Sequence, residues 1–477
     1  MVLQRRSLSS RTLSVIATFL FLSHVVAAQE MLRCRGNLPP VLREVSLNAA
    51  RVLADAPSVE REKIHGLVLL IEFQDVAFSF TNVQQYYDAF FNEEGFSLDG
   101  NMGSVHDYYR NQSQERFNID FDVCGPIRLS RSYAYYGQNA SDGMDLHPAE
   151  MMQEALDTLY KWNPEWDFSR YDWNGDGGAN MLYAVYAGRG ENYVVTQPTL
   201  MWPHMFTFTQ QKEIYNDGVG KKNVGGIWFD MYACSCELRE RTGKVIDGVG
   251  VACHEFLHGL GIPDTYNSYP GNGMGDYDLM AKGNYLNSCR TPCSLAGFHK
   301  MLLGWVDAEE ISSECAVIAM APVTETGEMY VLYNEEERKE CYVIENRQKQ
   351  SWDTYIPKSG LTVTHVDYDE DVWKKLYING NINHQRMALT DESLWTGLPL
   401  FNGDADTLSL CVVDVNELGL YVSFKVKNRT TDIETVRESD GETAEGARYD
   451  LTGRKIPSDF RPRGLYIEGG KLRLPGK

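Results

Sequence analysis

His254-Glu255-Phe256-Leu257-His258-Gly259-Leu260-Gly261-Ile262-Pro263-Asp264 carries two imidazoles and two carboxylates within one short stretch. Residues four apart share a helix face, so His254 and His258 can present two ring nitrogens to one metal ion. Glu255 falls on the adjacent flank, where a carboxylate can take a proton from water held at that metal. Gly261 lets the chain leave the helix, and Asp264 can fold back as a third ligand. The pattern is that of a catalytic zinc site with its general base beside it.

Outward from this stretch, strand and helix patterns alternate over residues 62–310. Gly66-Leu67-Val68-Leu69-Leu70-Ile71-Glu72-Phe73 and Met181–Ala187 are apolar runs of the kind found in strands buried on both faces. Val105–Arg110 and Ala149–Trp162 have helical spacing. An α/β (α+β) catalytic domain follows. Residues 311–427 change to short alternating runs, among them Met329–Tyr333, Cys341–Ile344, Leu361–Val366 and Leu420–Phe424, and read as a β-rich region. Residues 428–448 are polar and acid-rich, a linker, and 449–477 form a small C-terminal β module.

The start of the chain reads as a targeting segment. Arg5, Arg6 and Arg11 precede an apolar run that ends Val26-Ala27-Ala28, the pattern of a secretory signal peptide over residues 1–28. Residues 29–61 then form a candidate pro-segment, in which Cys34 could give the zinc a thiolate and hold the enzyme latent, or be a disulfide partner or an unstructured thiol. No later stretch is apolar enough to span a membrane. Ten cysteines in an exported chain permit disulfides; Cys234-Ser235-Cys236 is too tight for an ordinary mutual bridge, so each is expected to pair elsewhere, and Cys289 and Cys293 read as a structural bridge or buried thiols rather than metal ligands. With a net charge of −21 over 477 residues, nucleic acid and anionic membranes are excluded as partners, and solubility and cation binding are favoured.

A second metal pattern lies upstream. Asp172-Trp173-Asn174-Gly175-Asp176-Gly177-Gly178-Ala179-Asn180 places Asp172, Asn174, Asp176 and Asn180 at calcium-loop positions one, three, five and nine. Gly178 offers its carbonyl and Gly177 permits the sharp turn. Position twelve is Tyr183 rather than a bidentate glutamate, so the expectation is a structural calcium site that takes a further ligand from elsewhere, with an Asx-rich turn as the alternative.

These residues together resemble the immune-inhibitor-A family of secreted metallopeptidases over roughly residues 62–426. Besides the zinc stretch, the likeness rests on Leu69-Leu70-Ile71-Glu72-Phe73, Gly103-Ser104-Val105-His106-Asp107-Tyr108-Tyr109, Trp202-Pro203-His204, Asp276-Tyr277-Asp278-Leu279-Met280-Ala281-Lys282-Gly283, Leu303-Gly304-Trp305 and Ile344-Glu345-Asn346-Arg347-Gln348. The resemblance implies a metzincin-like domain, with Met280 as an apolar floor beneath the zinc. It also implies protein or peptide substrates. The third zinc ligand is Asp264, with Asp276 and Asp278 as rivals. Tyr449-Asp450-Leu451-Thr452-Gly453-Arg454-Lys455 and Gly464-Leu465-Tyr466-Ile467 resemble the sorting modules of type IX secretion, which implies export machinery that reads the C-terminus and an extracellular or outer-surface location. The expectation is a secreted zinc endopeptidase. An inactive adhesin or glycan-binding protein on the same fold is the alternative, and the intact His-Glu-x-x-His argues against it.

Overall fold

The computed structural model describes residues 64–428, apart from 240–243, 268–272, 312–314, 375–376, 382, 402–406 and 409, together with four short strands beyond residue 447. The signal peptide, the pro-segment with Cys34, and most of the linker and C-terminal module lie outside the described residues.

The first sheet takes its strands from the apolar runs. β1 (Ile64–Glu72) pairs in parallel with β2 (Ile119–Arg128) on one side and β3 (Leu182–Arg189) on the other. β4 (His204–Thr207) follows; after it the hairpin β5 (Lys222–Val224) and β6 (Ile227–Phe229) stands apart as a two-stranded sheet. β7 (Met231–Arg239) is parallel to β3, and β8 (Val245–Ile246) pairs with its end. The order is β2-β1-β3-β7-β4, with β4 antiparallel at the edge.

Alternate residues of these strands enter two different cores. Leu67, Leu69, Ile71, Leu182, Ala184 and Tyr186 face one side, where Ala149, Met152, Ala155, Leu156 and Leu159 of a long helix cover them. Val68, Leu70, Tyr183, Val185 and Ala187 face the other. Helices α1 (Val83–Asn92) and α2 (Val105–Gln112) pack on that second side, the long helix α3 (Pro148–Trp162) on the first. α1 buries Val83, Tyr87, Phe90 and Phe91, one stripe at helical spacing. α2 opens on a capping box, with Ser104 accepting from the Asp107 amide and the Asp107 carboxylate accepting from the Ser104 amide. A short helix α4 (Phe208–Tyr215) follows β4, and α5 (Val249–Gly259) carries the two histidines.

Past α6 (Gly297–Leu302) the chain builds a second sheet. β9 (Glu309–Glu310) pairs with β11 (Met329–Tyr333), and β12 (Glu340–Arg347), β13 (Gly360–Asp367) and β14 (Met387–Leu389) extend it. β10 (Cys315–Met320), β15 (Leu410–Leu418) and β16 (Tyr421–Asn428) form a third. Alternating runs commonly mean one face in water, yet β12 is buried at all eight positions. The reason is a layer on each side: Cys341 and Val343 join the core around α5, while Tyr342 and Ile344 join the core shared with the third sheet. β17 (Arg448–Tyr449), β18 (Lys455–Ile456), β19 (Tyr466–Glu468) and β20 (Lys471–Arg473) make a small antiparallel sheet of their own.

The nine described cysteines are all free thiols, so the disulfides that export would permit are not formed among the described residues. Cys234 and Cys236 lie two apart on β7 and therefore point into the same core, where they pack as small apolar side chains. Cys289 and Cys293 are likewise separate buried thiols, one beside the Tyr193 hydroxyl and the other beside the Ser294 carbonyl. Burial pushes both thiols well above their usual range.

Candidate metal centre

All eleven residues of α5 are buried, because the helix lies between the first and second sheets. Its sequence fits that place. Val249, Ala252, Cys253, Phe256 and Leu257 fill the core, and the polar exceptions are His254, Glu255 and His258. Two tyrosines of α2 brace the site: the Tyr109 hydroxyl donates to the Cys253 carbonyl at 2.6 Å, and Tyr108 to the Cys293 carbonyl at 2.8 Å. Gly248 and Gly250 admit the backbone of residues 284–290 so closely that a Cβ at either would overlap a carbonyl there. At the other end Gly261, with φ +86°, turns the chain out of the helix, and the Ile262 amide reaches back to the Leu257 carbonyl.

Each histidine is fixed through Nδ1. His254 Nδ1 lies 2.9 Å from the Leu279 carbonyl and His258 Nδ1 2.7 Å from the Ile262 carbonyl. A carbonyl can only accept, so both Nδ1 atoms carry the proton and both Nε2 atoms are left to act as ligands. The rings stand nearly perpendicular, with centroids 4.8 Å apart. Asp264 Oδ1 lies 3.2 Å from His254 Nε2 and 3.3 Å from His258 Nε2. Ligands at zinc distances of about 2.0–2.1 Å in a tetrahedron are about 3.3 Å from one another, and the separation of Asp264 Oδ1 from each Nε2 atom matches that spacing. His258 Nε2 and both Asp264 carboxylate oxygens are buried without a hydrogen-bond partner, which the chemistry of a metal donor set explains. The ligand atoms of His254, Glu255 and His258 also fall within 4.8 Å of one another.

Burial alone would pull the His254 imidazole down, but Asp264 and Glu255 outweigh it and hold the group up at about 9. Asp264 shows the converse. Burial raises it, and the two imidazoles overcome that and keep it below the usual carboxylate range. Asp278 is engaged elsewhere: it accepts from the Thr265 hydroxyl at 2.5 Å and the Ala296 amide at 2.9 Å, joining the segment after Asp264 to the start of α6. Asp276 sits half-exposed in the turn Gly275–Tyr277. Of the three candidate carboxylates, Asp264 is the one set against both histidines. Met280 is fully buried, and its carbonyl accepts the Thr265 amide at 2.8 Å.

The loop of Asp172, Asn174, Asp176, Gly178 and Asn180 is closed by its own backbone. Asp172 accepts from the amides of Gly175, Asp176 and Gly177 at 2.9, 3.1 and 2.8 Å. Asp176 accepts from the Gly178 amide at 2.8 Å, and Asn180 Oδ1 from the Trp173 amide at 2.6 Å. These contacts make a set of Asx turns.

Sequence reasoning missed what supports the site. The Leu279 and Ile262 carbonyls belong to the backbone and leave no mark in side-chain patterns. Arg347, nearly fully buried on β12, forms a fork with Asp353 at 2.7 and 2.8 Å and donates to the Tyr277 carbonyl at 2.9 Å, fastening the segment that leads to Met280. The available signal was charge inside an apolar run, Cys341-Tyr342-Val343-Ile344-Glu345-Asn346-Arg347.

A mixed α/β fold with a buried imidazole pair, a facing carboxylate and a neighbouring glutamate is the arrangement used by metallopeptidases. Residues 55–305 match the catalytic-domain model of the immune inhibitor A peptidase M6 family, and the chain belongs to that family. It is 26% identical over 308 residues to the pre-pro-metalloprotease PrtV of Vibrio cholerae, a match covering 55% of this chain and 32% of the relative. It is 26% identical over 315 residues to immune inhibitor A of Bacillus thuringiensis subsp. alesti, covering 57% of this chain and 44% of the relative. The chain thus spans less than half the length of the curated relatives it matches.

Proposed function

We propose that the chain is an exported zinc-dependent endopeptidase, with His254, His258 and Asp264 as the protein ligands and Glu255 as general base. The observation that carries this reading is the buried Asp264 oxygen 3.2 and 3.3 Å from the two Nε2 atoms, with the Glu255 carboxylate beside the histidines. When bound there, zinc supplies a Lewis acid that polarises a peptide carbonyl and makes water more acidic. Glu255 takes the proton of the attacking water as oxygen bonds to the carbonyl carbon. It then delivers that proton to the amide nitrogen as the carbon–nitrogen bond breaks. Asp264 and the two Nδ1 hydrogen bonds keep both Nε2 atoms directed at the metal. Met280 serves as the apolar floor of the site.

The remaining expectations rest on sequence. Calcium in the Asp172–Asn180 loop is suggested by the oxygen spacing. Export by a signal peptide and a type IX sorting module, and latency through Cys34, are suggested by residues most of which lie outside those described. Among the described residues no helix is long and apolar enough to cross a membrane. The test is hydrolysis of casein and of a glycan side by side. Phenanthroline should abolish casein cleavage and added zinc should restore it. Cleavage that survives the chelator, or cleavage of the glycan alone, would overturn the proposal.

A further inference from the structure

A second group of imidazole and carboxylates lies on the opposite side of the first sheet from α5. We propose that His147, Glu150 and Asp217 form a second divalent-metal site, of the zinc-binding kind, which ties the start of α3 to the segment following α4. His147 precedes α3, Glu150 is in its first turn, and Asp217 comes two residues after α4. His147 Nδ1 lies 3.5 Å from Asp217 Oδ1 and 3.9 Å from Glu150 Oε2, and one ligand atom from each residue falls within 4.8 Å of the others. The two His147 distances exceed the ~3.3 Å spacing of tetrahedral zinc ligands by about 0.2 and about 0.6 Å.

Helix capping accounts for only half of Asp217. Its Oδ2 accepts the Ala149 amide at 2.7 Å and the Glu150 amide at 3.4 Å, the work of a cap. Its Oδ1 is buried with no hydrogen-bond partner, on a side chain that is 0% exposed, and it is this oxygen that faces His147. Leaving a buried carboxylate oxygen unserved is costly, and a cation removes the cost. The other two ligands are oriented as well. Tyr135 stacks on the His147 ring at 4.5 Å and 4°, and its hydroxyl donates to Glu150 Oε2 at 2.8 Å. His147 and Glu150 are partly exposed, which gives an ion a way in. The positive end of α3 opposes a cation, but two carboxylates outweigh its half charge. Imidazole with two carboxylates selects zinc and its neighbours over calcium, which takes oxygen ligands.

The full chain carrying Glu255→Gln, which suppresses self-digestion, is stripped of metal, equilibrated with zinc and dialysed, and the bound zinc counted by plasma mass spectrometry. His147→Phe keeps the stack on Tyr135 and removes the nitrogens; it should lower the count by one. Glu150→Gln, at a half-exposed position where folding is secure, should weaken the same ion at least tenfold. His258→Ala should remove a different zinc, so that its loss adds to that of His147→Phe. If the catalytic reading fails, His258→Ala leaves the count unchanged while His147→Phe still lowers it. An unchanged zinc count in both His147→Phe and Glu150→Gln, or equal occupancy by calcium, overturns the second site.

Discussion

The stretch 254–264 and the loop 172–180 each gather potential metal ligands into a few residues, but they treat those ligands oppositely. In the loop the backbone serves the oxygens: Asp172 alone receives three amides. At the end of α5 the backbone serves the Nδ1 atoms and leaves the Nε2 atoms and the Asp264 carboxylate facing one another among buried side chains. Both segments have ligand spacing. What separates them is where the hydrogen bonds go, since a buried carboxylate that no donor serves gains most from a cation beside it.

The sharpest way to test the α5 half of this contrast is Glu255→Gln. It should lower the rate of peptide hydrolysis by about 10²–10⁴, the range for loss of a general base, with zinc content unchanged by metal analysis. Full activity would remove Glu255 from the chemistry. Asp264→Ala comes next. It should weaken zinc by at least ~100-fold in a competition titration with a chromogenic chelator, more than loss of an outer partner of a ligand costs. Asp278→Asn should weaken it far less, because Asp278 is spent on Thr265 and Ala296. Equal losses would return Asp278 to the ligand set.

The foot of α5 offers a third, smaller test. Asp247, buried beside the Gly248 amide and the Tyr193 hydroxyl, is raised by burial to about 6. The folded state therefore holds this proton more tightly than the unfolded state does, and stability falls as pH rises from about 4 to 6. Linkage puts the loss at up to about 3 kcal/mol. Asp247→Asn should flatten that part of the stability–pH curve, measured by urea melts; an unaltered curve would assign the slope to other groups. The smallest effect belongs to the loop. Asp172→Ala leaves three amides without their acceptor and should cost about 1–2 kcal/mol in calcium-free buffer. A calcium-dependent rise in Tm seen in the parent and absent from Asp172→Ala would give the loop an ion as well as a turn.

How much could be read from the sequence follows the same division. His254, Glu255 and His258 were legible because a helix makes i, i+4 neighbours out of spacing alone. Asp264 was legible as a candidate but not separable from Asp276 and Asp278, since only the folded chain shows that Asp278 has other partners. Gly261 was readable as the exit from the helix. The Leu279 and Ile262 carbonyls, which orient both imidazoles, were not readable, because every residue has a carbonyl. The strands of the first sheet were plain as continuous apolar runs. The second sheet was recognised as β, but its place between two cores was hidden, since alternation does not say what lies on each face. Free thiols at Cys234 and Cys236 ran against the expectation of bridges, because these cysteines act as core filling on one face of β7.

That middle position of β12 has a bearing on inheritance. Its Cys341 and Val343 complete the core around α5, and its Glu345 and Arg347 hold the Gly297 amide and the Tyr277 carbonyl. The catalytic half is therefore not a portable cassette. A recombination joint placed near residue 305, where the family match ends, would separate α5 from part of its own interior. A foreign partner joined there would have to bring a strand that fits the same seam.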